Sequence, residues 1–154
     1  MSTSLERVPN ASLQSECVSN AAFHAFRLEP GTDLMEFLQE IALTKELNAG
    51  FIVTAVGSLT KCTIRYANKP IGTEVTGHFE IVSLVGIVAK TGCHVHISLS
   101  DGSGTMLGGH LLRGSSVYTT CEIVIGNMLN TTFTREPCCK SGYDELVVQP
   151  NNSR

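Results

Sequence analysis

Between residues 22 and 148 apolar positions recur mostly at every second residue, and one stretch breaks that rhythm for a period near 3.6. That stretch begins at Asp33, an N-cap residue with Glu36 three positions on, the spacing of a capping box. Leu34, Phe37, Leu38 and Ile41 then share one apolar helical face, which fades at Lys45-Glu46, and Asn48 and Gly50 supply the stop. Ahead of the helix, Ala22 to Leu28 reads as a strand closed by Pro30-Gly31. Behind it, Phe51 to Val56 is almost continuously apolar and rich in β-branched residues, which predicts a strand buried on both faces. Thr60 to Tyr66 alternates instead, with Cys62, Ile64 and Tyr66 on one side and Lys61, Thr63 and Arg65 on the other. Asn68 to Gly72 reads as a loop, and Val75 to Ala89 as a long strand bent at Gly86. His94 to Ser100, a turn at Asp101 to Gly104, and Met106 to Leu112 form an antiparallel pair. Val117 to Ile125 is a further strand, and Asn130 to Thr134 and Glu145 to Val148 flank a Pro/Cys/Gly loop. One main helix with seven or eight strands and few crossovers predicts an α+β fold built on a twisted, mostly antiparallel sheet. Residues 1–20 read as a polar tail, 21–149 as one domain and 150–154 as a short C-terminal tail.

Composition narrows the functional classes. The 154 residues suffice for one domain with a core of its own, and 42% hydrophobic against 16% charged residues is a globular balance. The net charge is -3 and no run of Lys or Arg occurs, so direct binding to nucleic acid through its phosphates is not expected. The six cysteines include no CxxC pair, and Met1 to Gln14 shows no apolar stretch after a basic start. Free thiols and an intracellular location, cytoplasmic or nuclear and not secreted, are therefore expected. Apolar stretches fall short of the roughly 20 residues that span a bilayer, so no membrane insertion is expected.

The chemistry lies in histidines. His94 and His96 are two apart on a strand and emerge on one face, with Val95 and Ile97 on the other. Two neutral imidazoles on one face make half of a metal site, and His110, across the turn, is the candidate third ligand. Direct pairing of Asp101 with Gly104 would put Gly109 opposite His96 and turn His110 to the wrong side. An odd-length loop, or a bulge at Gly108-Gly109, restores the parity. Three histidines leave a coordination position open for water, substrate or ligand. Glu80 and Asp101 are candidate carboxylates to orient the rings, Ser98 extends the His94/His96 face, and Arg113 could hold an anionic ligand. The plainer alternative is three hydrogen-bonded or solvated histidines without metal. Cys93 points away from the ligand face, and His24 and His78 have no partners by spacing. No nucleophile–base order and no phosphate-binding glycine loop is present.

Gly77-His-Phe-Glu-Ile-Val-Ser-Leu-Val-Gly86 is similar to the most recognisable strand of the plant-and-prokaryote-conserved (PPC) domain. Gly31-Thr-Asp-Leu, Val56-Gly-Ser-Leu, Cys93-His-Val-His-Ile-Ser-Leu-Ser-Asp-Gly, Gly108-Gly-His-Leu and Phe133-Thr-Arg-Glu follow in family order, so the resemblance spans about residues 22–148. Plant members usually lack the His-x-His, have Gly-Gly-Ser where this chain has Gly108-Gly-His110, and carry an Arg-Gly-Arg-Pro AT-hook. The chain therefore resembles the stand-alone, prokaryote-like branch without an AT-hook. The resemblance implies a highly twisted sheet carrying the helix, assembly as homotrimers, and metal at His94, His96 and His110. The expected function is a trimeric protein holding a divalent metal, zinc first, together with a small ligand or protein partner. Its rivals are a metal-dependent enzyme acting on an unidentified small molecule, a metal-free interaction module and, last, a DNA-binding protein.

Overall fold

A computed structural model describes residues 16–151. Residues 1–15 and 152–154, most of the two expected tails, lie outside that range. The elements are β1 (Ala21–Leu28), α1 (Leu34–Thr44), β2 (Gly50–Arg65), β3 (Thr73–Ala89), β4 (Gly92–Ser100), β5 (Met106–Met128), β6 (Thr131–Pro137) and β7 (Asp144–Pro150). The fold is thus a mostly antiparallel sheet with one helix. Strand order is β1-β5-β2-β3-β4, and an additional β4–β5 pairing closes β2, β3, β4 and β5 into a ring. β6 and β7 form a separate hairpin.

Two pairs of predicted strands are single long ones. β2 unites Phe51–Val56 with Thr60–Tyr66, and β5 unites Met106–Leu112 with Val117–Ile125. The polar, glycine-containing links that read as breaks are register shifts and a glycine at positive φ, Gly114 at 95°. Likewise β3 runs unbroken through Gly86, which pairs with Val95. The expectation that Phe51 to Val56 is buried on both faces is incorrect. Ile52 and Ala55 enter the core, while Val53 and Val56 are 47% and 56% exposed. The reason is that α1 lies against one face of the sheet, and among the described residues no element covers β2 on the other.

The helix binds by the face its pattern announces, rotated slightly: Leu34, Met35, Leu38 and Ala42 are buried, with Phe37 and Ile41 packed at the edge of the same core. Asp33 does more than cap it. One carboxylate oxygen accepts from the backbone N–H of Glu36 (2.9 Å), the other from those of Gly114 (2.7 Å) and Ser115 (2.9 Å) at the bend of β5. Asp33→Ala removes the cap and strands two part-buried donors, so it should cost about 2–4 kcal/mol, with Asp33→Asn recovering part of that. Thermal unfolding of the two variants checks it; equal melting temperatures for wild type and Asp33→Ala would overturn the bridging role.

Candidate metal centre

The histidines are brought together by register. The β4–β5 connection is a five-residue loop, Asp101 to Thr105, in which the Asp101 N–H donates to the Thr105 carbonyl (3.0 Å). That odd length sets His96 opposite His110. Gly108 and Gly109 stay in register with Ser98 and Ile97, so the loop corrects the parity and no bulge is needed. On its other side His110 pairs with Arg65 of β2, while His96 pairs with Val85 of β3. Directly paired residues share a face. Arg65, His110, His96 and Val85 therefore form one row across four strands, and His94 stands two residues along from His96. Val95 and Ile97 are buried in the core and Cys93 meets the Leu38 carbonyl of α1, so the histidine row faces away from the helix.

One ring nitrogen from each of His94, His96 and His110 lies within 4.8 Å of the other two. The ring centroids are 5.1 Å apart for His94–His96, 5.1 Å for His94–His110 and 5.6 Å for His96–His110. The Nε2 atoms of His94 and His96 are 3.3 Å apart. Two ligands of a tetrahedral ion at about 2.0–2.1 Å stand roughly 3.4 Å from each other, so this spacing suits a shared ion. Nδ1 of His110 is buried and has no hydrogen-bond partner among the described residues, an unusual state for a polar atom. The three residues fit a divalent metal with an open position.

The surroundings favour the uncharged, metal-competent imidazole. Burial, then Arg65, His94 and His96, push His110 down to about 4. His94 is exposed, yet desolvation is still the largest cause lowering it, followed by His96, Arg135 and Arg65, with Glu145 opposing. A His held below its usual value near 6.5 stays neutral in the folded chain while the unfolded chain takes up the proton. The metal-free protein is thus at full advantage from this group above about pH 6.5, and loses stability as the pH falls from there toward about 4. His110→Ala should flatten that part of a melting-temperature profile; an unchanged slope would show that His110 does not carry it.

The other sequence candidates disperse. Ser98 follows His96 on the same face, half-buried, opposite Gly108. Glu80 pairs with Ser100 at the far end of β4, and is not beside the rings. Asp101 is occupied in its own loop, where one oxygen accepts from the Ser103 N–H (2.8 Å), the Ser103 hydroxyl (2.6 Å) and the Thr105 N–H (3.0 Å). Those bonds lower its pKa and leave no reach to an imidazole. Arg113 donates from Nε to Gln39 Oε1 on α1 (2.8 Å), on the helix side of the sheet and away from the cluster. His78 stacks on Tyr118 at 4.2 Å, and His24 lies near Phe26. Sequence reasoning missed what does surround the site. A cleft of about 440 Å³ is lined by His94, His110, Arg65 and, from the β6–β7 hairpin, Arg135, Tyr143 and Glu145. Arg65 could have been found from its place on the polar side of an alternating strand; nothing in the spacing ties the hairpin residues to His94.

The bifunctional protein GlmU of Synechococcus sp. (strain JA-2-3B'a(2-13)) is 39% identical over 127 residues, 82% of this chain and 20% of that protein. The chain therefore spans about a fifth of this relative's length. A hypothetical protein of known structure from Salmonella cholerae-suis (Salmonella enterica) is 43% identical, with a TM-score of 0.86 over 88% of this chain and 99% of that one. A metal-containing protein from Archaeoglobus fulgidus shares the fold at 24% identity, with a TM-score of 0.71 over 86% of this chain and 99% of that one. Residues 15–129 match the Plants and Prokaryotes Conserved (PCC) domain, a match that stops short of the β6–β7 hairpin. On that match, and on the fold it accompanies, the chain belongs to the Plants and Prokaryotes Conserved domain family.

Proposed function

We propose that this protein holds a divalent metal through His94, His96 and His110 and presents it to a small ligand or protein partner. The convergence of three ring nitrogens on one point, with the His110 Nδ1 otherwise unpartnered, carries the reading. The metal-containing relative from Archaeoglobus fulgidus supports it. Zinc is the first choice, although imidazole sites also take nickel, copper and iron. When bound, the ion supplies a Lewis-acidic open position. The chain's own residues do the rest. Burial and then Arg65 hold His110 toward its neutral form, and the β6–β7 hairpin shelters one side of the site. Elemental analysis of purified protein, before and after a chelator, tests the proposal. Close to one ion per chain supports it, and none after growth in metal-replete medium overturns it. The fold should survive chelation, since the core is independent of the site.

The presence of Glu145 and Tyr143 in the cleft favours a second reading, a metal-dependent enzyme, because it supplies an acid–base group that the sequence did not reveal beside the histidines. Turnover that stops on chelation and in Glu145→Gln separates it from a binding function.

We propose further that the protein assembles as a homotrimer and that direct nucleic-acid binding is not its role. Phe23, Val53, Val56, Val82 and Val85 are large and exposed, and Val56 and Val85 lie on the sheet face turned away from α1. Apolar surface of this kind is the usual mark of a partner subunit. Light scattering should give about three times the chain mass of 16.5 kDa. A monomeric mass at micromolar concentration would rule assembly out. Among the described residues no helix is long and apolar enough to cross a membrane.

A further inference from the structure

The cleft beside the histidines contains two arginines that, among the described residues, no carboxylate pairs with. Arg65 ends β2, and Arg135 stands on β6, paired with Leu146. They come from different sheets, yet both line the one cleft with His94 and His110. Both are half-buried. Among the described residues the ion pair formed is Lys61–Glu74, and neither Arg65 nor Arg135 has a side-chain hydrogen bond or a carboxylate within salt-bridge range. Partly desolvated cations are ordinarily paired, because removing water from a charge is costly unless another group replaces it. Two unpaired guanidiniums directed at one cavity are therefore a binding device. Their fixed fork of N–H donors matches the two oxygens of a carboxylate.

We propose that the cleft binds a small dicarboxylate, one carboxylate held by Arg65 and Arg135 and the other directed to the open position of the histidine-bound metal. This rests on the proposed metal centre for the second contact alone. Asp144 and Glu145 line the same cleft, and Glu145 faces Glu136 across the hairpin. They set a limit on the anion. A compact, doubly charged tetrahedral ion placed among them meets more repulsion than a dicarboxylate, whose charges are spread to its two ends. The volume of about 440 Å³ is near the lower end of ligand pockets, which run about 300–1,000 Å³, and suits a small molecule more than a polymer. Tyr143 adds an aromatic wall with a hydroxyl at its tip.

The test is calorimetric titration of the metal-loaded protein with succinate, its neutral diamide succinamide, and inorganic phosphate. Succinate should bind, succinamide should not, and phosphate should bind more weakly than succinate. Arg65→Gln and Arg135→Gln should each weaken succinate by about tenfold or more, and Arg135→Gln should keep its metal content at the wild-type level. Arg65→Lys, which keeps the charge and loses the fork, should fall between, and it replaces Arg65→Gln if that variant does not fold. Three results overturn the proposal: no saturable heat with millimolar succinate, equal affinity for succinamide, or unaltered affinity in the arginine variants. Tighter binding of phosphate would replace the dicarboxylate with a tetrahedral oxyanion. If the wild type takes up no metal, the metal reading fails by itself. The same titration of metal-free protein must then still show weaker succinate binding that depends on Arg65 and Arg135, or the anion site falls too.

Discussion

Replacing any one of His94, His96 or His110 by alanine is expected to remove most of the bound metal. Each residue offers one ligand nitrogen to a common point, and the two that remain hold an ion poorly. Loss of a group that merely supports a ligand costs about 10–100-fold in metal affinity, so loss of a ligand should exceed about 100-fold. The histidines outside the cluster provide the contrast. His78→Ala loses a stacking contact with Tyr118 and His24→Ala a looser one with Phe26, and both proteins should keep their metal. Metal content per chain across the five variants is the measurement. Retention in any one cluster variant would remove that residue from the ligand set. Retention in all three would leave the interaction-module reading in front.

Gly86→Ala is expected to be the most damaging single methyl in the sheet around the site. Gly86 has φ 154° and faces Val95, and a Cβ there would lie 2.2 Å from the His94 carbonyl oxygen and 2.7 Å from the Val95 Cα. Both are backbone atoms, so no side chain can turn aside. Relief requires β3 to move away from β4 where β4 carries His94, which unites a strained conformation with an overlap of the main chain. The expected loss is about 3–5 kcal/mol, together with weakened metal binding. Gly102→Ala, in the loop with nothing within 4 Å of its added methyl, should stay within about 0.5 kcal/mol of wild type. Chemical denaturation of both variants decides it. Equal midpoints would mean that the sheet gives way more easily than the contacts imply.

The clustering of the three histidines was legible in the sequence because it depends on strand alternation and loop parity, both of which are local. Period two puts His94 and His96 on one face, and an odd loop brings His110 to them. The helix was legible for the same reason, with Asp33 and the spacing of Leu34 and Leu38 declaring it. What failed depended on distance along or across the sheet. Glu80 lies within the glycine-bounded strand motif, but the antiparallel pairing carries it to Ser100, away from the rings. Asp101 is only five residues from His96, yet an extended chain rises about 3.3 Å per residue, and its own loop consumes its oxygens. Arg113 turns to Gln39 because it stands an odd number of residues beyond His110 on β5 and so faces the helix side. Arg65 and Arg135 reach the cleft through pairing with β5 and through the docking of a second sheet, and neither relation leaves a trace in residue spacing. The two-sided burial expected for Phe51 to Val56 failed because an apolar run reports that a face avoids water, not which surface covers it.

The five-residue loop from Asp101 to Thr105 also governs how this gene can change in length. Insertions and deletions in surface hairpins are ordinarily among the mildest of mutations, since lengthening a loop adds little closure entropy. Here their effect depends on whether they are odd or even. Gain or loss of a single codon that the loop itself does not absorb would slip β5 by one residue against β4 or force a bulge, and a slip sends His110 to the opposite face. A change of two codons keeps the faces. Length variation in this hairpin should therefore be tolerated in steps of two, whereas an odd step taken up as a slip would turn buried Leu111 outward as His110 turns inward, costing stability together with the third imidazole.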